Sequence, residues 1–302
     1  MFTIISVILF GFIIGSFLTV CIYRLPFASL AQEEEHTKQA EDQDNITQSL
    51  PSQEAPKPPF DNLGVCNPKR SFCPKCLNQL KWIHNIPVLS WILQGGKCAY
   101  CKEPIPARYP IIEVFTGLIA IACFLKFGLT PTGALLFAFC CVLIVVTVID
   151  YDFYIIPNVI SLPGTLIFVF IALINQFSGI FHFPVVPGIK ESLIGLFSGS
   201  IFLFLIAEFY LRVRKIEGLG MGDVKLLAMT GALLGYESSI YTIFVGSLLG
   251  AIIGLVIMLL QGRKFNHAIP FGPFLAGACM MYIFLSPFAI EKTIGFFISF
   301  LN

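Results

Sequence analysis

The sequence predicts an all-α polytopic membrane protein, with about eight transmembrane helices and a cytoplasmic four-cysteine zinc-knuckle loop after the first. Three observations carry that prediction. Of the 302 residues, 56% are hydrophobic and only 12% charged, where a soluble globular domain carries about 25% charge. Several apolar runs reach the roughly 20 residues that cross a bilayer. Two Cys-x-x-Cys pairs, Cys73/Cys76 and Cys98/Cys101, lie in the one long polar stretch. A net charge of +1 without a basic face argues against a nucleic-acid partner. The lipid bilayer is the expected surrounding.

The first apolar run covers 2–23 and is the first transmembrane helix. No cation precedes it and Arg24 follows it, which reverses the charge order of a secretory signal peptide. It therefore reads as an anchor with its N-terminus outside. On the signal-peptide alternative, Ser29-Leu30-Ala31 would be the cleavage site. Gly11 and Gly15, spaced small-xxx-small, predict a close contact with another helix.

Residues 24–109 form a cytoplasmic loop in two parts. The stretch 31–64 is acidic and rich in Gln, Ser and Pro, too poor in apolar residues to offset the entropy of ordering, and reads as a flexible insertion. Residues 65–109 are a zinc-binding subdomain. Each Cys-x-x-Cys pair can point two thiolates at one ion, and two pairs complete a tetrahedral site at Cys73, Cys76, Cys98 and Cys101. Four protein ligands leave no open position, so the Zn²⁺ would be structural. Disulfides or a redox-active pair are the alternative, which a cytoplasmic position disfavours. Cys66 is a spare thiol, and His84 a weaker ligand candidate. Trp82, Trp91, Ile86, Pro87 and Leu89 read as a small core or as a surface resting on the membrane. Cys21, Cys123, Cys140, Cys141 and Cys279 lie in apolar runs and read as packing residues.

The remaining spans are 111–125, 131–149, 158–175, 192–211, 224–236, 239–260 and 272–285. With the N-terminus outside, the cytoplasmic segments are 24–109, 151–157, 212–223 and 261–271. Of the Lys/Arg residues between spans, Arg212, Arg214, Lys215, Arg263, Lys264 and those of the first loop then fall inside, and only Lys126 and Lys190 outside, as the positive-inside rule requires. The tail after Pro287 is short for a span and reads as interfacial.

On this topology Asp150 ends one span and Asp223 begins another, both at the cytoplasmic rim. Carboxylates at the ends of membrane helices are costly and mark functional sites. Two neighbouring carboxylates cannot both ionise cheaply, so one keeps a proton and the pair supplies a base and an acid. That points to an aspartyl protease. Asp223 follows Gly218-Leu219-Gly220-Met221-Gly222, whose alternate glycines allow close backbone approach. The competing structural roles are helix capping for Asp223 and pairing with interfacial cations for both. Asp152 reads as solvated, and Glu208 as paired with Arg212 four residues on. The glycine pattern also resembles a dinucleotide loop, but that needs a preceding strand in a βαβ unit; a basic linker precedes it here.

These stretches together give a resemblance that runs almost end to end. They are Gly15-Ser16-Phe17-Leu18, Tyr23-Arg24-Leu25-Pro26, the two Cys-x-x-Cys pairs, Asn85-Ile86-Pro87, Ser90-Trp91, and Arg108-Tyr109-Pro110 with Glu113. Asp150 with Pro157-Asn158, Gly220-x-Gly222-Asp223-x-Lys225 and Ile269-Pro270-Phe271-Gly272-Pro273 complete the set. The chain resembles the type IV prepilin peptidases, leader peptidase/N-methyltransferases of pilus and type II secretion systems. It departs from that pattern at Thr19, where Asn is expected, and at Asn158, where Asp is common.

The resemblance implies a membrane aspartyl endopeptidase, in residues 110–302, that removes the leader of prepilins or pseudopilins at the cytoplasmic face of the bacterial inner membrane. Asp150 and Asp223 would be catalytic, supported by Gly220, Gly222, Lys225 and Glu113. Lys225 would tune a carboxylate or hold a substrate carbonyl, with snorkelling as the alternative. Glu113 would engage substrate charge or methyl-transfer chemistry, or pair with Arg108. The complete four-cysteine loop resembles the bifunctional members, which also methylate the new N-terminus with S-adenosyl-L-methionine; no residues binding that cofactor are apparent. The rivals are an ion-coupled transporter using the two acids, against which stand their rim position and the lack of internal repeats, and a silent assembly scaffold.

Overall fold

The computed structural model describes residues 2–41, 67–181, 186–215, 220–261 and 269–285, without the side chains of 28–41. The expectations for 42–64, Cys66, Gly218, Leu219 and the tail fall outside the described residues. The chain divides into two compact units, 1–121 and 122–302. Its helices are α1 (Phe2–Glu41), α2 (Leu89–Leu93), α3 (Arg108–Phe127), α4 (Pro131–Phe153), α5 (Asn158–Ser178), α6 (Ile189–Arg214), α7 (Met221–Gln261) and α8 (Gly272–Leu285). Six are long and apolar enough to span a membrane, and α8 is a shorter apolar helix. The chain is thus an all-α, multi-pass membrane protein.

In the first unit α1 and α3 approach closely through small residues. A Cβ on Gly11 would lie 2.8 Å from both Ala120 Cβ and Gly117 Cα, and one on Gly15 would lie 2.7 Å from Glu113 Cα. That is the contact the glycine spacing anticipated. The membrane span of α1 ends at Phe27, but the helix runs on through Glu41, into the stretch read as flexible. Gln32, Glu33, Glu34, Glu35 and Lys38 are good helix formers, and extending a helix already nucleated costs little.

In the second unit the core is α4, the first half of α7, and α8. Leu136, Phe139, Leu143, Val146 and Ile149 of α4 are almost wholly buried, as are Leu226, Leu227, Met229 and Leu233 of α7 and Leu275 of α8. Phe139 meets Phe168 of α5 edge-on at 5.3 Å. Thr130 caps α4 by accepting the Gly133 N–H at 3.1 Å, and Pro131 starts the helix where its missing donor costs nothing.

At about 1.5 Å per residue α7 is roughly twice as long as the hydrocarbon core is thick. It breaks at Gly235, where φ is +81°, a conformation that only glycine adopts readily. The halves fold back as a hairpin, since a Cβ on Gly231 would lie 2.5 Å from Ser239 Oγ. The two spans expected at 224–236 and 239–260 are therefore present, with the turn at Gly235 rather than after Tyr236. α6 fills the hairpin with small residues: Ser192 donates to Ala232 O at 2.6 Å, and Ser239 donates to Gly195 O at 3.1 Å. A Cβ on Gly195 would sit against Gly231 O and 2.5 Å from Gly235 C. Gly195→Val should accordingly destabilise the protein by about 1–3 kcal/mol or more. Thermal unfolding of the detergent-solubilised variant checks this; an unchanged midpoint would mean that α6 does not seat there.

Candidate active site

Asp150 lies in the last turn of α4 and Asp223 in the first turn of α7. Both are buried, at 6% and 7% exposure. Asp150 Oδ2 accepts the Gly272 N–H at 3.0 Å, so the start of α8 holds the carboxylate in place. Asp223 is tied to the turn before it, its N–H donating to Gly220 O at 3.1 Å. The two carboxylates are near enough to interact electrostatically. α7 begins at Met221, so Asp223 sits inside the first turn, where an acid complements the helix dipole, and not at the capping position before it.

The three segments converge on the side chain of Ile156. A Cβ on Gly222 would lie 2.8 Å from Ile156 Cβ. One on Gly272 would lie 3.3 Å from Ile156 Cδ1 and 2.6 Å from Asp150 Oδ2. Glycine is required at both because the chains approach too closely for any side chain. Neither Ile156 nor the Gly272 amide was assigned a role from sequence; the only signal was the Ile269–Pro273 motif. Lys225 Nζ donates to Asn158 Oδ1 at 2.6 Å, which ties the start of α7 to the start of α5. Asp152 is exposed. Glu208 bonds Arg212 at 2.8 Å, as the spacing suggested. Among the described residues there is no strand to support a dinucleotide loop.

In the first unit Cys73, Cys76, Cys98 and Cys101 place their sulfurs within 4.8 Å of one another. The two knuckles are built alike. Leu77 N–H donates to Cys73 O at 2.8 Å and Lys102 N–H to Cys98 O at 3.1 Å. Cys73 N–H donates to Asn78 O at 3.1 Å and Cys98 N–H to Glu103 O at 2.8 Å. Leu77 and Lys102 turn the chain with φ of +57° and +63°. Burial raises the Cys98 thiol, but the amides of Cys101 and Tyr100 together with the Cys101 and Cys73 thiols outweigh it and bring it to about 7, so it ionises readily for a cation. A tetrahedral zinc site with sulfurs at about 2.3 Å spaces them about 3.8 Å apart. Cys73 and Cys101 stand 3.9 Å apart, and no disulfide joins the four. The geometry fits a metal. His84 lies outside the cluster of thiols. Trp91 packs over Gly96 and donates to Ile105 O at 3.0 Å, whereas Trp82 is 78% exposed and Leu89 half exposed; these two form no core.

Glu113 is buried near the start of α3. It accepts the Val88 N–H at 2.6 Å and a bond from Ser16. Val88, at φ +59°, is the centre of a tight turn closed by Leu89 N–H to Pro87 O. A β-branched residue there is strained, and the carboxylate helps to hold it.

A buried carboxylate pair at helix ends of a membrane bundle, in one chain with a four-thiolate centre, is the arrangement that a polytopic membrane hydrolase of the aspartyl type would use. The comparisons with known proteins agree. The chain belongs to the Type IV leader peptidase family: residues 137–255 match it, and residues 9–127 match the Bacterial Peptidase A24 N-terminal domain. A prepilin leader peptidase/N-methyltransferase of Burkholderia pseudomallei (strain 1026b) is 34% identical over 284 residues, covering 93% of this chain and 85% of its own. The protein of the same name from Pseudomonas aeruginosa is 34% identical over 269 residues (89% and 86%), and that of Aeromonas hydrophila 36% over 275 (89% and 86%). No solved structure matches the chain. Peptidase relatives lend the transporter alternative no support.

Proposed function

We propose that the chain removes the leader peptide of type IV prepilins or pseudopilins at the cytoplasmic face of the bacterial inner membrane, then methylates the new N-terminus. The observation that carries the first activity is that two buried carboxylates, Asp150 and Asp223, lie near enough to interact, at helix ends held together through Ile156, Gly222 and Gly272. One aspartate, ionised, takes a proton from water as it attacks the scissile carbonyl. The other, protonated, donates to the carbonyl oxygen and then to the leaving nitrogen, with no covalent intermediate. Gly222 lets the loop close on Ile156, Gly220 accepts the Asp223 N–H at the turn, and Lys225, held by Asn158, orients the entry of α7. The printed names of the relatives support the second activity. S-adenosyl-L-methionine would supply the methyl group, and Glu113 would support the fold of that region through Val88.

The proposed orientation has the N-terminus outside and both acids inside; the Lys/Arg asymmetry supports it. The organisation proposed is an anchor at 1–23, a loop at 24–109 with Zn²⁺ held by the four cysteines, and a peptidase domain at 110–302. Co-expression with a prepilin, followed by intact mass of the product, tests the reading. The expected product lacks its leader and carries one added methyl group. An uncut prepilin would overturn the peptidase reading, and a cut but unmethylated one would overturn the second activity.

A milder change tests the support of Asp150. Gly272→Ala pushes a methyl group into Oδ2, and displacement of a catalytic group by about 1 Å costs about 10²-fold in rate. Cleavage by this variant should fall by about that factor with the protein still in the membrane; wild-type cleavage would show that the Gly272 contact does not position the acid.

A further inference from the structure

Methyl transfer needs a seat for its donor, and residues 1–121 contain two adjoining cavities that suit one. Their common wall is Phe72, Pro74 and Tyr109. The first, of 110 Å³, is about half polar, with Ser16, Thr19, Arg24 and Asn85 around it. Arg24 is only 3% exposed. Its guanidinium donates to Pro68 O at 2.9 Å and Arg70 O at 3.4 Å, and lies 5.6 Å from the centre of the Phe72 ring. Two carbonyls and a ring fix the planar fork, and a fixed fork is suited to a carboxylate. Ser16 joins this cavity to the Glu113 carboxyl group, so a buried acid stands behind one wall.

The second cavity, of 130 Å³, is mainly apolar, with Leu80, Pro104, Ile105 and Pro106 in its lining. It also contains His84, whose Nδ1 is buried and makes no hydrogen bond. A buried polar atom without a partner is costly. A ligand with a flat heterocycle and a hydrogen-bonding edge would satisfy it. The aromatic wall between the cavities suits a cation placed against it.

The chemistry required is therefore a heterocyclic base at one end, a carboxylate at the other and a positive centre between. We propose that S-adenosyl-L-methionine binds across the Phe72–Pro74–Tyr109 wall, with its carboxylate held by Arg24 and its adenine beside His84. The proposal rests on the methyl-transfer reading above and adds the place of binding.

The test uses full-length protein in detergent, titrated calorimetrically with S-adenosyl-L-methionine and, separately, photo-cross-linked to the methyl-tritiated compound. Arg24→Gln and His84→Ala should each weaken binding about tenfold or more, the loss expected for a charged or buried hydrogen bond. The cross-linked label should map within 70–109. Arg24 also holds the chain at Pro68 and Arg70, so if Arg24→Gln fails to fold, His84→Ala and the wild-type cross-link decide. Label confined to 122–302, or wild-type affinity in folded variants, overturns the seat while leaving methyl transfer standing. The same holds if the variants lose prepilin affinity but keep the cofactor's. A wild-type protein that cleaves but neither binds the compound nor methylates removes both the seat and the reading beneath it.

Discussion

Asp150→Asn and Asp223→Asn should each abolish leader removal, lowering the cleavage rate by about 10²–10⁴-fold, the usual worth of a positioned acid or base. The substitution suits the question because it changes little else. Asparagine has the size of aspartate, and its side-chain oxygen can still accept the Gly272 N–H that Asp150 accepts now. The packing of Ile156 between Gly222 and Gly272 is untouched. What is lost is the ability to carry a proton, and the proposed division of labour needs it from both residues. The effect should therefore be similar for the two single variants, and the double variant should be little worse, since the residues act as a unit. The measurement is time-resolved prepilin cleavage by purified variants, with their amounts in the membrane matched. If either variant cleaves at the wild-type rate, that aspartate serves its helix terminus alone, and the paired mechanism is wrong.

How much of this was legible in the sequence depends on the range over which each feature is determined. The spans were legible because membrane helices are marked by run length and flanking charge, both local. The turn between the last two long spans was misplaced by about two residues. Glu237 and Ser238 looked like a polar loop, but the chain turns where φ can be positive, at Gly235. The knuckles were legible because two ligands three residues apart are a local signature; that Leu77 and Lys102 adopt positive φ was not, since neither is glycine. Of the two readings of Trp82, its exposure excludes the little core and leaves the interfacial surface, because apolarity signals burial only where there is enough chain to bury it. The convergence of Asp150, Asp223 and Gly272 was the least legible feature. It depends on α4, α7 and α8 packing together, and no local pattern encodes which helices become neighbours.

The four-cysteine centre should be what folds residues 67–106. That stretch has little else to do so: two isolated backbone bridges, Phe72 with Gln79 and Lys97 with Pro104, one 3-10 turn at Trp82–Asn85 and one short α-helix, and exposed Trp82, Ile83, Leu89, Ile92 and Leu93 where a core would need buried side chains. In small zinc domains metal binding is worth about 10–16 kcal/mol and is itself the free energy of folding. The purified protein should hold one zinc per chain. Cys98→Ser, or a strong chelator, should remove it and expose Lys75, Lys81, Lys97 and Lys102 to trypsin, while fragments from 122–302 stay protected. Metal analysis alongside limited proteolysis reads both effects. Opening by a reductant but not by a chelator would mean disulfides hold the stretch. A metal-free protein that resists trypsin there would mean the little polar unit is held by its backbone bonds and by α1, through the grip of Arg24 on Pro68 and Arg70.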